Sequence, residues 1–181
     1  RSYSVTGVQT CALPILREFV ECDMKTVLEA AALSHILTAY VKAFTGRLSA
    51  VCGCSIAAGA GATAGVTYLL GGDARHIAGA VTNLTEDLAG IICDGAKSGC
   101  AFKLATAAGA AVQAALFALQ GINVQPTDGI IGASFEQTAR NIGELSTQGM
   151  IETDRTILRI MLEKKFSRSE EHTSELQSPN T

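Results

Sequence analysis

Apolar and polar positions along the chain recur with helical rather than strand-like periods. Between Glu18 and Ala32 the apolar positions are Phe19, Met24, Val27, Leu28 and Ala31, a loose helical spacing. Ser34 is placed to cap a second helix reaching Phe44, with Ile36, Leu37, Tyr40 and Val41 on one face and Thr45-Gly46 as its stop. Leu48 to Cys54 reads as a short loop. Ser55 then caps a helix from Ile56 to Leu70 that Gly71-Gly72 ends, and Asp73 caps the next, running to about Ile92. Cys93 to Gly99 is a loop, and Ala101 to Gln120 is the longest helix, closed by Gly121. Pro126-Thr127-Asp128-Gly129 signals a turn. Ser134-Phe135-Glu136-Gln137 is a capping box for a helix to about Ser146. A last helix, Glu152 to Lys165, puts Ile157, Ile160 and Met161 inward. Short strands are allowed only near Ile122-Asn123-Val124 and Ile130-Ile131. The expected fold is mainly α, a bundle of closely packed Gly/Ala-rich helices with cysteines in the interhelical loops.

Composition sharpens that picture. A chain of 181 residues has room for one domain with a sizeable core. It is 48% hydrophobic yet only 5% aromatic, with 18 glycines and no tryptophan, so its apolar mass lies in small side chains that let helix backbones approach closely. A net charge of −3 leaves no basic patch for nucleic acid. Ile56 to Leu70 is shorter than the roughly 20 residues a membrane span needs, and Ala101 to Leu119 is interrupted by Lys103 and Gln113. Both are read as core helices of an aqueous bundle, without membrane contact. Residues 1–15 show no signal peptide, and a cytoplasmic location is expected.

The ends read differently from the body. Val5 to Ile15 and Arg168 to Pro179 look like translated short-read sequencing adapter, one from each strand. Residues 1–15 and 168–181 are therefore expected to be non-structural and poorly packed, and residues 16–167 to be the genuine portion of a longer protein. Cys11 and His172 leave the list of candidate residues with them.

Four of the remaining five cysteines lie in two short segments, Val51-Cys52-Gly53-Cys54 and Cys93-Asp94-Gly95-Ala96-Lys97-Ser98-Gly99-Cys100. Clustered intracellular thiols read as metal ligands or redox groups sooner than as disulfides. Cys54 and Cys100 each begin a helix, where free backbone N–H groups favour a thiolate. Cys93 ends a helix before a flexible Asp-Gly turn. A single buried cysteine among alanines is ordinarily a small hydrophobe, and Cys22, on a helix away from the others, is read that way. A zinc knuckle is excluded by spacing, since neither Cys-x-Cys nor Cys-x6-Cys is a paired zinc motif and no histidine is near. Lys97 either meets a substrate carboxylate or is solvated, Asp94 forms the turn, and His35 and His76 are single helical histidines. Asn83-Leu84-Thr85 matches a glycosylation acceptor but lies inside a helix. No phosphate-binding or dinucleotide loop is present.

These residues carry a resemblance. Gly46 to Gly59, Thr67-Tyr68-Leu69-Leu70-Gly71-Gly72, Ile92 to Ala101, Thr127-Asp128-Gly129-Ile130 and Thr153-Asp154-Arg155-Thr156-Ile157 together look like the L-cysteine desulfidase family, related to the α subunit of bacterial iron–sulfur L-serine dehydratases. The resemblance covers nearly all of 16–167. It implies an oxygen-sensitive [4Fe–4S] cluster on three cysteines, and a lyase that splits L-cysteine to sulfide, ammonia and pyruvate. Relatives split L-serine to ammonia and pyruvate. By position it implies Cys93 as one ligand, Cys52 or Cys54 as another, and Cys100 as a ligand of the serine branch, at a shorter spacing here. It implies that a further ligand and the Cα base lie in an N-terminal half beyond this chain, so that the segment alone is inactive. A small amino-acid substrate, that N-terminal half and a homo-oligomer are the partners it allows. Outside the resemblance, the competing expectation is a non-catalytic bundle with structural or redox-sensing cysteines.

Overall fold

The structure, a computed structural model, describes residues 4–46, 49–95 and 97–177, with side chains described within 7–9, 12–46, 49–95 and 97–164. Among these residues it is mainly α, with seven helices: α1 Ser4–Arg17, α2 Met24–Thr45, α3 Gly53–Leu69, α4 Ala74–Leu88, α5 Cys100–Leu119, α6 Phe135–Glu144 and α7 Ile151–Gln177. A π-helical turn, Leu145–Gly149, joins α6 to α7.

The axis of the bundle is α3, buried at every residue from Ser55 to Thr67. Helices α1, α2, α4 and α5 surround it. Such burial is possible because α3 has almost no side chain to accommodate: Gly61 meets Thr38 and the Ser34 carbonyl of α2, and Gly59 meets Leu84 of α4. Its two buried threonine hydroxyls bond back along the helix, Thr63 to the Gly59 carbonyl at 2.9 Å and Thr67 to the Thr63 carbonyl at 2.7 Å, so they need no partner from a neighbour.

Several boundaries differ from the sequence reading. The two helices expected between Glu18 and Phe44 are one, α2, capped by Asp23, whose carboxylate accepts from the Thr26 N–H at 2.8 Å. Ser34 does not cap; it is wholly buried mid-helix, and its small side chain admits α3. Cys52, not Ser55, is the N-cap of α3. Helix α4 stops at Leu88 rather than Ile92, because 91–93 pairs with 50–52 through the antiparallel bridge Val51↔Ile92. The strands expected at 122–124 and 130–131 are absent. Instead the Asn83 amide takes the backbone pairing there, donating to the Ile122 carbonyl and accepting from the Val124 N–H, both at 2.9 Å. Ser134 does cap α6, accepting from the Gln137 N–H at 3.2 Å.

The ends also depart from expectation. Residues before Leu16 were expected to pack poorly, but α1 buries Val8, Ala12 and Leu13, while Ile15 is exposed. The Gln9 amide, also buried, donates to Thr38 Oγ1 at 2.7 Å. An amphipathic run of small and branched residues fits the groove between α2, α3 and α5 whatever its origin. Helix α7 continues past Lys165 to Gln177, since no glycine or proline intervenes before Pro179 to stop it. Side chains beyond Lys164, Leu176 included, lie outside the described residues. Ile157 and Met161 of α7 are half-buried, but Ile160 is exposed.

The expectation of core helices holds for α3 and for only one face of α5. By length and composition α2 and α5 are apolar enough to cross a membrane. Helix α5 buries an alanine face (Ala107, Ala111, Ala114, Ala115, Ala118) and leaves Phe102, Leu116 and Phe117 exposed.

Candidate functional site

The cysteine segments meet at one edge of the bundle. The bridge between 50–52 and 91–93 is closed by two backbone bonds, Cys52 N–H to the Ile91 carbonyl at 2.8 Å and Cys93 N–H to the Ala50 carbonyl at 2.6 Å. It sets Cys52 and Cys93 on adjacent extended segments that α3 and α4 hold in place. Cys52 ends the extended segment as the α3 N-cap, and Cys54 is the second residue of the helix. Their thiols are in hydrogen-bond contact.

That contact acidifies Cys52. The Cys54 thiol is the largest influence, and the N–H groups of Ser55 and Cys54 add to it, against the opposing effect of burial. The Cys52 thiol is lowered to about 5, so at neutral pH it is a thiolate at the positive end of a helix.

Cations gather where the helix dipole alone would repel them. Lys42 of α2 lies over the first turn of α3, close enough that a Cβ on Gly53 would stand 2.8 Å from its Nζ. Lys103 of α5 donates to the Ile92 carbonyl at 2.8 Å and pairs with Asp94 Oδ1 at 2.5 Å, pinning the loop behind Cys93. Burial works to lower the Lys103 pKa, but the Asp94 carboxylate, aided by negative charge on Cys52, raises it overall. Asp94 is lowered in turn by Lys103. Two ammonium groups beside a helix N-terminus describe an anion site, in which the Cys52 thiolate is the resident charge.

The remaining candidates are less engaged. Cys100 opens α5, and its thiol turns back on its own loop, donating to the Gly95 carbonyl at 3.4 Å and accepting from the Lys97 N–H at 3.5 Å. Gly95, with φ of 90°, makes that turn and lies against Met161 of α7. Lys97 is exposed; Ala96 lies outside the described residues. Cys22 packs half-buried against the core, in the segment between α1 and α2 rather than on a helix. His76 completes the α4 capping box, its Nδ1 accepting from the Asp73 N–H at 3.2 Å, and His35 is exposed on α2.

Beside the bridge lies a cavity of about 280 Å³, lined by Ser49, Ala50, Ser146, Thr147, Asp154 and Arg155 among others. Ala50 joins it directly to the thiol edge, since its carbonyl holds the Cys93 N–H. Sequence reasoning did not single out Lys42, Lys103 or Arg155 for this edge. For Lys103 a signal existed: three residues after Cys100, it shares that residue's helix face.

A cluster with an open iron needs three converging thiolates. Among the described residues no three Cys, His, Asp or Glu side chains are grouped as a metal site. Cys52 and Cys54 are together and Cys93 is on the neighbouring segment, but the Cys100 thiol is committed to the Gly95 carbonyl. As placed, these residues do not fit a cluster held by this chain alone.

The serine dehydratase alpha chain family matches residues 6–159. The chain belongs to that family. A UPF0597 protein of Desulfatibacillum aliphaticivorans is 74% identical over 160 residues, 87% of this chain and 36% of that protein. A UPF0597 protein of Desulfotalea psychrophila is 66% identical over 157 residues, 86% of this chain and 36% of its own. A third, from Clostridioides difficile, is 49% identical over 155 residues, 84% of this chain and again 36% of its own. The chain thus spans little more than a third of the length of these relatives. No solved structure matches it.

Proposed function

We propose that this chain is the thiol-bearing portion of an iron–sulfur lyase that splits L-cysteine to sulfide, ammonia and pyruvate. The observation that carries the reading is the edge where the Cys52–Cys54 thiol pair and the Cys93 segment lie on the two sides of the bridge, near Lys42 and Lys103, with a cavity against it. A [4Fe–4S] cluster is the cofactor of this proposal, completed by ligands from the larger part of the full-length protein, and it would supply Lewis-acid chemistry when bound. What this chain's own residues do can be stated separately. The Cys54 thiol and the N–H groups at the α3 N-terminus keep Cys52 ionised. Lys103 holds the Cys93 loop against the bridge. Arg155 offers N–H donors to the substrate carboxylate, and Asp154 an acceptor to its ammonium. Transfer of the Cα proton to a base in the larger part of the full-length protein, with expulsion of hydrosulfide, leaves aminoacrylate, which hydrolyses to pyruvate and ammonia in water. Lys97, exposed at the mouth of the loop, is a second anion anchor in this reading.

A second reading, L-serine deamination with loss of water, is favoured by the description of the family itself. The deciding experiment is anaerobic preparation of the full-length Desulfatibacillum relative, followed by iron, sulfide and pyruvate assays on each amino acid. Sulfide from L-cysteine supports the first reading, and pyruvate from L-serine alone the second. Bound iron without turnover of either, or neither iron nor turnover, overturns both in favour of a non-catalytic bundle.

A further inference from the structure

Helix α2 has two unlike faces. Ala30, Ser34, Thr38, Val41 and Thr45 are buried, and Ser34 and Thr38 stand against Gly61 of α3. On the outward side Met24, Leu28, Ala32, Ile36 and Tyr40 recur at four-residue intervals, and all five are exposed. Side chains spaced in this way form one ridge along a helix. Ala39 and Ala43, also exposed, widen it toward the C-terminus. Between Glu29 and Lys42 the helix has no lysine, arginine, aspartate or glutamate to keep that ridge solvated. Tyr40 is held in place, its ring centroid 5.2 Å from that of Phe44 and 5.5 Å from that of Phe135 of α6. Helix α5 has no such ridge: its exposed Phe102 and Leu116 lie roughly 21 Å apart along the axis, with Thr106, Gly109 and Gln113 between them. A lone exposed leucine is ordinary, whereas a continuous apolar ridge marks a surface that something covers.

We propose that the outer ridge of α2 is the seat of an apolar segment from the part of the full-length protein that lies outside this chain. Nearly two-thirds of the Desulfatibacillum relative falls outside the match, so there is ample chain to cover it. A second copy is a poorer occupant. Four large side chains and three alanines fall short of the roughly 800 Å² per partner that a stable interface between separate molecules buries. A segment of the same chain needs less area, because tethering already gives it a high effective concentration. A lipid surface is poorer still. Helices that lie on membranes carry lysine and arginine along their polar flank, whereas this ridge is flanked by the Lys25–Glu29 ion pair and by His35.

The test compares the 181-residue chain with the full-length Desulfatibacillum protein, both photolabelled by a soluble aryl diazirine that inserts into exposed side chains. In the 181-residue chain Leu28 and Ile36 should label heavily and the buried Val41 hardly at all. In the full-length protein the positions aligned with Leu28, Ala32, Ile36 and Tyr40 should fall to the level of the one aligned with Val41. A photo-crosslinking residue at the position aligned with Leu28 should then join, within one chain, a peptide from outside the matched segment. Ile36→Glu should leave the thermal midpoint of the 181-residue chain nearly unchanged, because Ile36 is 64% exposed. Glutamate at the aligned position should lower the midpoint of the full-length protein; if that variant does not fold, labelling and crosslinking of the folded protein decide. Labelling as heavy in the full-length protein as in the 181-residue chain would overturn the proposal, as would a full-length midpoint that glutamate leaves unmoved. So would a crosslink between two copies, no crosslink at all, or flotation of the 181-residue chain with phosphatidylglycerol vesicles that Ile36→Glu abolishes.

Discussion

Helices α3 and α5 are about equally rich in small residues, with four glycines and five alanines in the 17 residues of α3 and one glycine and nine alanines in the 20 of α5. Their surroundings are opposite. From Ser55 to Thr67 no residue of α3 reaches solvent appreciably, whereas α5 buries one alanine face and exposes Phe102, Leu116 and Phe117. Their shared small-residue content does not separate them; the phase of the few large or charged residues does. Helix α3 carries none in its centre, and its threonines satisfy themselves on the carbonyl four residues back. Helix α5 carries Phe102, Lys103 and Gln113, which must go somewhere roomier. The lesson is that a glycine on α3 is a contact surface, while a glycine on α5 is only a weak point in the helix.

Gly61→Ala tests that contrast most severely. A Cβ there would collide with Thr38 Oγ1 and the Ser34 carbonyl, and a backbone carbonyl cannot rotate away as a side chain can. Overpacking of this kind should remove about 3 kcal/mol or more of stability, or abolish folding. Urea unfolding is the measurement, and a change below about 0.5 kcal/mol would mean that α2 and α3 do not meet as described.

The sequence made most helices legible, because turn glycines and caps are local signals: Asp73, Ser134, Gly71 and Gly121 all act where their residue types predict. It misled where tertiary context overrode a local signal. Ser34 looks like a cap, yet serves as a small residue facing α3, and 91–93 leaves the helix because 50–52 pairs with it. The cysteine segments were visible as a pair, since both flank helix starts. Their mutual approach follows from reading them as shared ligands, but the two-residue bridge that brings 50–52 to 91–93 leaves no periodic trace. Lys42 was invisible for the same reason: it reaches Gly53 from another helix.

A second contrast lies between the buried centre of α3 and its ionisable N-terminus. The folded Cys52 thiol is lowered from 9.0 to about 5, so its ionisation stabilises the fold. That contribution is fully present above pH 9, shrinks as the pH falls, and is lost once the pH passes below about 5. Thiolate absorbance should therefore show one group titrating near pH 5 in the folded chain. Cys54→Ser should move that midpoint upward, since the Cys54 thiol is the largest cause. An unchanged midpoint would assign the acidification to the helix end alone.

Away from both regions, Asp73 gives a calibration. Its carboxylate accepts from the N–H groups of Arg75 at 2.9 Å and His76 at 3.0 Å, while His76 returns the bond. Asp73→Ala should lower the thermal midpoint, because the cap is lost. Because Asp73 is lowered in the fold, chiefly by its bond from the His76 N–H, this contribution should fade in acid. Thermal unfolding of the variant and parent should converge as the pH falls through the carboxylate range.

The smallest effect is the sharpest test of the comparison between α3 and α5. Gly109 sits mid-helix on α5, exposed, with nothing within 4 Å of where a Cβ would lie. Replacing it by alanine removes the backbone freedom of glycine in the unfolded chain and adds no collision. Gly109→Ala should therefore stabilise the protein by about 0.5–1 kcal/mol. Gly61→Ala is the same chemical change on a helix of similar small-residue content, and it should have the opposite sign. If urea unfolding shows Gly109→Ala to be destabilising, the outer face of α5 is closely packed in solution, and the distinction between the two helices fails.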